Sequence, residues 1–206
     1  SEYLNRLNTV NSQVYNTFKH CDNVEFTPII SGNFDLETCC EMINTEWYKN
    51  SKIVKFIPVF DHVTNLYYRH HLPLIVSELR QKIVMIHTGW ESQIKPLECC
   101  IKKHREKIFV LAHMKEDLDK YNTQRIEIMK KYDNVYLEMS YLSSPKRLKQ
   151  YVQKHKFQDR ILFGSDFRTH KDEPSLKWFL NAIALCDFDV EIEKKILYKN
   201  AENILK

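Results

Sequence analysis

Three side chains in this sequence sit where chemistry is done. His87 closes the run KIVMIHTG, His113 closes KIFVLAHM, and Asp166 follows Ile161, Leu162 and Phe163 in RILFGSDFR. Each run is a short, continuous apolar stretch, the pattern of a strand buried on both faces. A titratable group that ends such a strand has no apolar reason to be there. Two imidazoles and a carboxylate can bind a divalent ion, move a proton near neutral pH, or do both. The plainer alternative for the histidines is a hydrogen-bonded place in the core. For Asp166 it is a turn role, which Ser165 could already fill.

The elements that must position these groups follow from periodicity. Strands are expected at residues 24–30, 52–57, 83–87, 108–113, 135–139 and 160–165. Helices are expected at 3–19, 35–47, 69–80, 96–104, 118–132, 145–154, 174–186 and 190–205, with Asn33 or Asp35 capping the second and Pro96 in the first turn of the fourth. The strand exits at Ile30, Ile57, His87, His113, Met139 and Ser165 recur about every 26 to 30 residues, the spacing of βα units in a parallel sheet. Crossovers in such a sheet are right-handed, so all six exits point one way and His87, His113 and Asp166 share a rim. An open doubly wound sheet and a (β/α) TIM-type barrel both satisfy this pattern. The barrel better brings the three exits round to one pocket, and in barrels function lies at the C-terminal ends of the strands.

Composition narrows the classes. A chain of 206 residues with 43% hydrophobic content buries a full core and reads as one domain, 1–206. Its apolar runs fall far short of the roughly 20 residues that cross a bilayer, which predicts a soluble, cytoplasmic protein that does not engage a membrane. The formal charge of +4 is scattered, without the one-sided basic clustering and interleaved aromatics of a nucleic-acid surface. Six cysteines lack CxxC spacing, so reduced, buried or half-buried thiols are expected rather than a zinc knuckle. The three glycines, Gly32, Gly89 and Gly164, all fall at strand exits. His20, His70, His71, His104, His155 and His170 read as solvent-facing.

The runs IVMIHTGW, IFVLAHM, NVYLEMS and RILFGSDF and the terminal EIEKKILYKNAENIL, in this order and spacing, resemble the amidohydrolase superfamily. Within it they are most similar to the metal-dependent hydrolases and decarboxylases typified by aminocarboxymuconate semialdehyde decarboxylase. The resemblance implies a TIM barrel, a divalent metal, most simply zinc, and hydrolysis or non-oxidative decarboxylation of a small carboxylated or cyclic compound. It implies that His87 is a metal ligand, that His113 activates water or shuttles a proton, and that Asp166 binds metal or exchanges protons with substrate. Arg168, Trp90 and Lys55 are the candidate substrate-binding residues: Arg168 could grip an anion bidentately, Lys55 would face the barrel interior, and Trp90, like Phe60 and His62, lies just past a strand end.

The sequence also departs from that family. A first strand ending in His-x-His is lacking, and six βα units are recognisable where a barrel has eight. Lys115 and Glu116 replace glycines, and Arg168 replaces a proline. The expectation is a piece of a longer product or a shortened member, with two metal ligands against the three or four of a tight zinc site and weak or absent metal. The alternative function is a non-catalytic barrel acting as a binding or assembly subunit; a metal-dependent phosphoesterase ranks third. Six strands would leave two edges unpaired, and proteins cover such edges. That predicts a homo-oligomer, a helical cover from residues 3–19, or a companion segment.

Overall fold

The computed structural model describes residues 2–31, 35–57, 67–88, 94–114, 119–142, 144–166 and 176–206. In chain order the elements are α1 (Glu2–Phe18), β1 (Ile29–Ile30), α2 (Leu36–Ile43), α3 (Glu46–Lys49), β2 (Ile53–Phe56), α4 (Leu72–Glu78), β3 (Ile83–His87) and α5 (Ile94–Lys103). There follow β4 (Ile108–Ala112), α6 (Asp119–Lys131), β5 (Val135–Glu138), α7 (Pro145–Lys149), β6 (Ile161–Leu162), α8 (Leu176–Ala184), α9 (Val190–Lys194) and α10 (Asn200–Leu205). Turns of π-helix precede α4, extend α7 and join α9 to α10. The six strands form one sheet in the order β1-β2-β3-β4-β5-β6. A doubly wound sheet reverses its order at a switch point. This one does not, so that alternative falls away and the α/β fold is singly wound.

The chain divides into two compact units, residues 1–87 with 96–109 and residues 88–95 with 110–206. In the first, β1 pairs with β2 and β2 with β3, all parallel, with Lys55 opposite both Ile29 and Met85. Val54, Phe56, Val84 and Ile86 lie on one face and are fully buried. Lys55, Met85 and His87 alternate with them and share the other face. Asp35 caps α2 by accepting from the Thr38 amide at 2.7 Å. The helix expected over 35–47 breaks at Asn44 and Thr45, which serve as C-cap of α2 and N-cap of α3. Pro96 falls in the first turn of α5, where its missing N–H costs no intrahelical bond.

The strand expected over 24–30 shrinks to Ile29–Ile30. The Glu25 carboxylate takes the Lys52 amide at 2.8 Å, so this stretch meets the start of β2 through a side chain instead of a ladder. The outward edge of β1 is closed by Asn11 of α1. Its Oδ1 accepts from the Ile29 N–H at 3.2 Å and its Nδ2 donates to the Ile29 carbonyl at 3.0 Å. One carboxamide thus supplies both bonds that a neighbouring strand would make there, and α1 is the helical cover that the unpaired edge demanded.

The second unit closes its outer edge in a similar way. β5 and β6 are parallel, with Leu137 opposite Ile161, and β6 is likewise two residues long rather than the six expected. Beyond it the Phe163 N–H donates to the Ile196 carbonyl at 2.9 Å. Asn200, at the start of α10, donates Nδ2 to the carbonyls of Ile161 and Gln158, each at 2.8 Å. The asparagine of the terminal NAENIL stretch is therefore the tie between the last helix and the last strand. Ser144 and Asp189 cap α7 and α9.

Two expectations about single residues are corrected. His104 is buried, its Nε2 2.8 Å from the Pro73 carbonyl and its Nδ1 3.3 Å from Glu106, because the end of α5 packs against α4 where a solvent face was expected. Cys21 and Cys99 are exposed, whereas Cys39, Cys100 and Cys186 are buried and Cys40 is half-buried. No helix among the described residues is long and apolar enough to cross a membrane.

Replacing Asn11 or Asn200 by Ala leaves buried backbone groups unbonded, which costs about 1–3 kcal/mol. Urea denaturation should show that loss for each, and Asn16→Ala, on the exposed face of α1, should change stability by less than about 0.5 kcal/mol. Burial pushes the Cys39 thiol up to about 12 and the Cys186 thiol up to about 11, and it raises Cys100 as well. Iodoacetamide at mildly alkaline pH should therefore label Cys21 and Cys99 in the native protein. Peptide mapping should find Cys39, Cys100 and Cys186 labelled only after unfolding.

Candidate active site

Five described residues other than glycine have positive φ; Lys156 and Asp187 follow helices, and the other three follow strands of the second unit. His113, just past β4, has φ 69°; Tyr141, past β5, has φ 63°; and Asp166, past β6, has φ 44°. These are left-handed conformations that residues other than glycine adopt at a cost. Such strain persists where surrounding contacts over-determine it, which is common at functional sites. Here the contacts can be named.

His113 is 2% exposed, and its Nδ1 lies 2.7 Å from the Ser140 hydroxyl, 3.8 Å from Glu138 Oε2 and 3.9 Å from Asp166 Oδ2. Its ring meets Tyr141 edge-on at 5.5 Å between centroids. The structure thus brings His113 and Asp166 together, as expected from the sequence. It adds Glu138, the last residue of β5, which accepts from the His113 backbone and from Ser140. Glu138 Oε1 accepts from the Ser140 N–H at 2.7 Å; its Oε2 accepts from the Ser140 hydroxyl at 2.7 Å and the His113 N–H at 3.1 Å. A Cβ placed on Gly164 would overlap this carboxyl group. Glycine in GSD is required by close approach, not by its torsion angles.

Arg125 of α6 fixes the strand ends from beneath. It is 3% exposed, and its Nη2 donates to the carbonyls of Thr88 at 2.9 Å and His113 at 3.2 Å. Thr88, the residue after His87, donates both its N–H and its hydroxyl to the Ala112 carbonyl, at 3.2 and 2.7 Å. The Tyr151 hydroxyl bonds Asn122 Oδ1 at 3.0 Å, which Arg125 Nη1 also approaches at 3.5 Å. The two Nη atoms of this buried arginine meet carbonyls and an amide oxygen, an arrangement that rigidifies the exits it touches.

The remaining sequence candidates divide. His87 ends β3 and is buried, and Lys55 is half-buried on the His87 face of the first unit. Trp90 and Arg168, like Phe60 and His62, lie outside the described residues. Glu138, Ser140 and Arg125 were not singled out by sequence. Glu138 also ends a strand, but VYLE alternates where the run before Asp166 is continuously apolar, so the signal that marked Asp166 was lacking there. Arg125 carried none, since an arginine in a helical repeat reads as solvent face.

A family model described as Amidohydrolase matches residues 80–206, more than half of the chain and the part holding His87, His113, Glu138 and Asp166. No curated protein matches the chain. Such proteins generally bind divalent metal. Among the described residues no set of three or more His, Cys, Asp or Glu side chains is arranged to hold a metal ion, so the described donors do not fit a tight zinc site.

Gly164→Ala should displace the Glu138 carboxyl and break charge-assisted hydrogen bonds worth about 1.5–3 kcal/mol each. In a double-mutant cycle by urea melting, the cost of Gly164→Ala should fall by at least half when Glu138 is Ala. Equal costs in both backgrounds would show that Glu138 and Gly164 are not in the contact described.

Proposed function

The chain belongs to the amidohydrolase family, and from that premise we propose that it acts on a small carboxylated or cyclic compound, with His113 and Asp166 as its proton-transfer groups. The observation that carries the reading is the His113–Asp166 approach of 3.9 Å between two strand-exit residues in left-handed backbone. A titratable pair held this way is arranged for chemistry more than for stability. Hydrolysis and non-oxidative decarboxylation use the pair alike. In hydrolysis the imidazole takes a proton from the attacking water and returns it to the leaving group. In decarboxylation the site delivers a proton to the carbon that CO2 leaves.

The proposal takes the fold as a TIM-type barrel and places this chain beside the aminocarboxymuconate semialdehyde decarboxylase group, as its strand-end motifs suggest. Lys55, Trp90 and Arg168 remain the proposed contacts to an anionic substrate. His87 and Asp166 are the proposed ligands of a divalent ion, zinc first. Two ligands are fewer than a tight site needs, and no step is drawn through the ion. The second reading is a barrel that binds without turning over.

Metal content and proton transfer separate the two. The enzyme reading expects close to one equivalent of zinc or manganese after incubation and dialysis, reduced by His87→Ala. It also expects His113→Ala to lower kcat by about 10²–10⁴ with KM little changed, measured as CO2 release or hydrolysis across a panel of small carboxylates and cyclic amides. Metal below about a tenth of an equivalent, with no turnover across the panel, would leave the binding reading.

A further inference from the structure

We infer that Ser140 and Glu138 set the tautomer of His113, holding its proton on Nδ1 and leaving Nε2 as the basic nitrogen. A count of hydrogens decides which nitrogen carries the proton. Ser140 Oγ lies 2.7 Å from His113 Nδ1 and 2.7 Å from Glu138 Oε2, and a hydroxyl has one hydrogen to give. A carboxylate only accepts, so the hydroxyl hydrogen goes to Glu138. Oγ then presents lone pairs to the ring, and Nδ1 must supply the hydrogen of that bond. The reverse assignment would leave Oγ and Oε2 in contact with no hydrogen between them.

Two further features hold the arrangement. Glu138 cannot rotate away, because Oε1 is bound by the Ser140 N–H, Oε2 by the His113 N–H, and the carboxyl rests on Gly164. Two further acceptors face Nδ1 among the described residues, Glu138 Oε2 at 3.8 Å and Asp166 Oδ2 at 3.9 Å. A bare Nδ1 would turn its lone pair toward two carboxylate oxygens. The tautomer of a histidine is fixed by the partner of its other nitrogen, so Ser140 and Glu138 are positioning residues that direct exchange to Nε2. Their catalytic meaning rests on the reaction proposed above, whereas the tautomer itself does not.

The test is nitrogen NMR of the ring in full-length protein labelled with 15N-histidine at alkaline pH, with His113 assigned by loss of its signals in His113→Gln. Wild type should show a protonated, pyrrole-type Nδ1 and an unprotonated, pyridine-type Nε2 at His113. Ser140→Ala should lose this single-tautomer signature, and Ser140→Thr, which keeps the hydroxyl, should retain it. His104, whose Nε2 lies 2.8 Å from the Pro73 carbonyl, gives an Nε2-protonated reference in the same spectrum and reports whether each variant is folded. A wild-type Nε2 that carries the proton, or a folded Ser140→Ala spectrum identical to wild type at His113, would overturn the inference. The measurement uses neither substrate nor metal, so its failure and a failure to find turnover are separate results.

Discussion

A nearly buried carboxylate with nowhere to turn is the constraint on which the candidate site depends. Glu138 is 12% exposed, and a charge so placed is costly unless it is met by donors. Among the described residues three donors meet it, two from Ser140 and one from the His113 backbone. Together they dictate the course of the chain after β4 and β5. The His113 amide must point at Glu138, and the chain past Glu138 must curl back so that Ser140 can present both its N–H and its hydroxyl. The glycine of the GSD stretch clears space for the same group. The left-handed angles at His113 and Tyr141 accompany this geometry.

Arg125 plays the complementary part with carbonyls. Where Glu138 collects N–H and O–H groups, Arg125 collects backbone oxygens at the exits of the strands, including that of His113. His113 is therefore gripped at its N–H by an anion and at its carbonyl by a cation, with its ring nitrogen on a hydroxyl. A residue held at both backbone groups and at its ring loses little entropy when it acts, which is the sense in which a site is preorganised.

Much of this was legible from residues 82–89, 107–114 and 160–166, because a buried parallel strand writes itself as an unbroken apolar run and the residue that ends the run stands out. The pairing of His113 with Asp166 followed from that alone. Glu138 was hidden by its setting: VYLE alternates, and a carboxylate in an alternating strand passes for an outward-facing residue. Arg125 could not be read at all, since its partners are main-chain carbonyls that carry no sequence signature. The lengths of β1 and β6 were misjudged for a related reason. Apolar content at 24–30 and 160–165 measures burial, whereas ladder length is decided by what lies alongside, here side chains and a helix.

The sealing of those outer strands bears on how the molecule behaves in a crowded solution. A carboxamide copies a single rung, and β1 and β6 each offer only two residues in ladder form. A foreign chain seeking to add itself in cross-β fashion needs several consecutive open rungs. At these borders it finds both backbone groups of Ile29 bonded to Asn11, and the Ile161 carbonyl bonded to Asn200. Short ladders capped by asparagine side chains leave such a chain few consecutive rungs to add to.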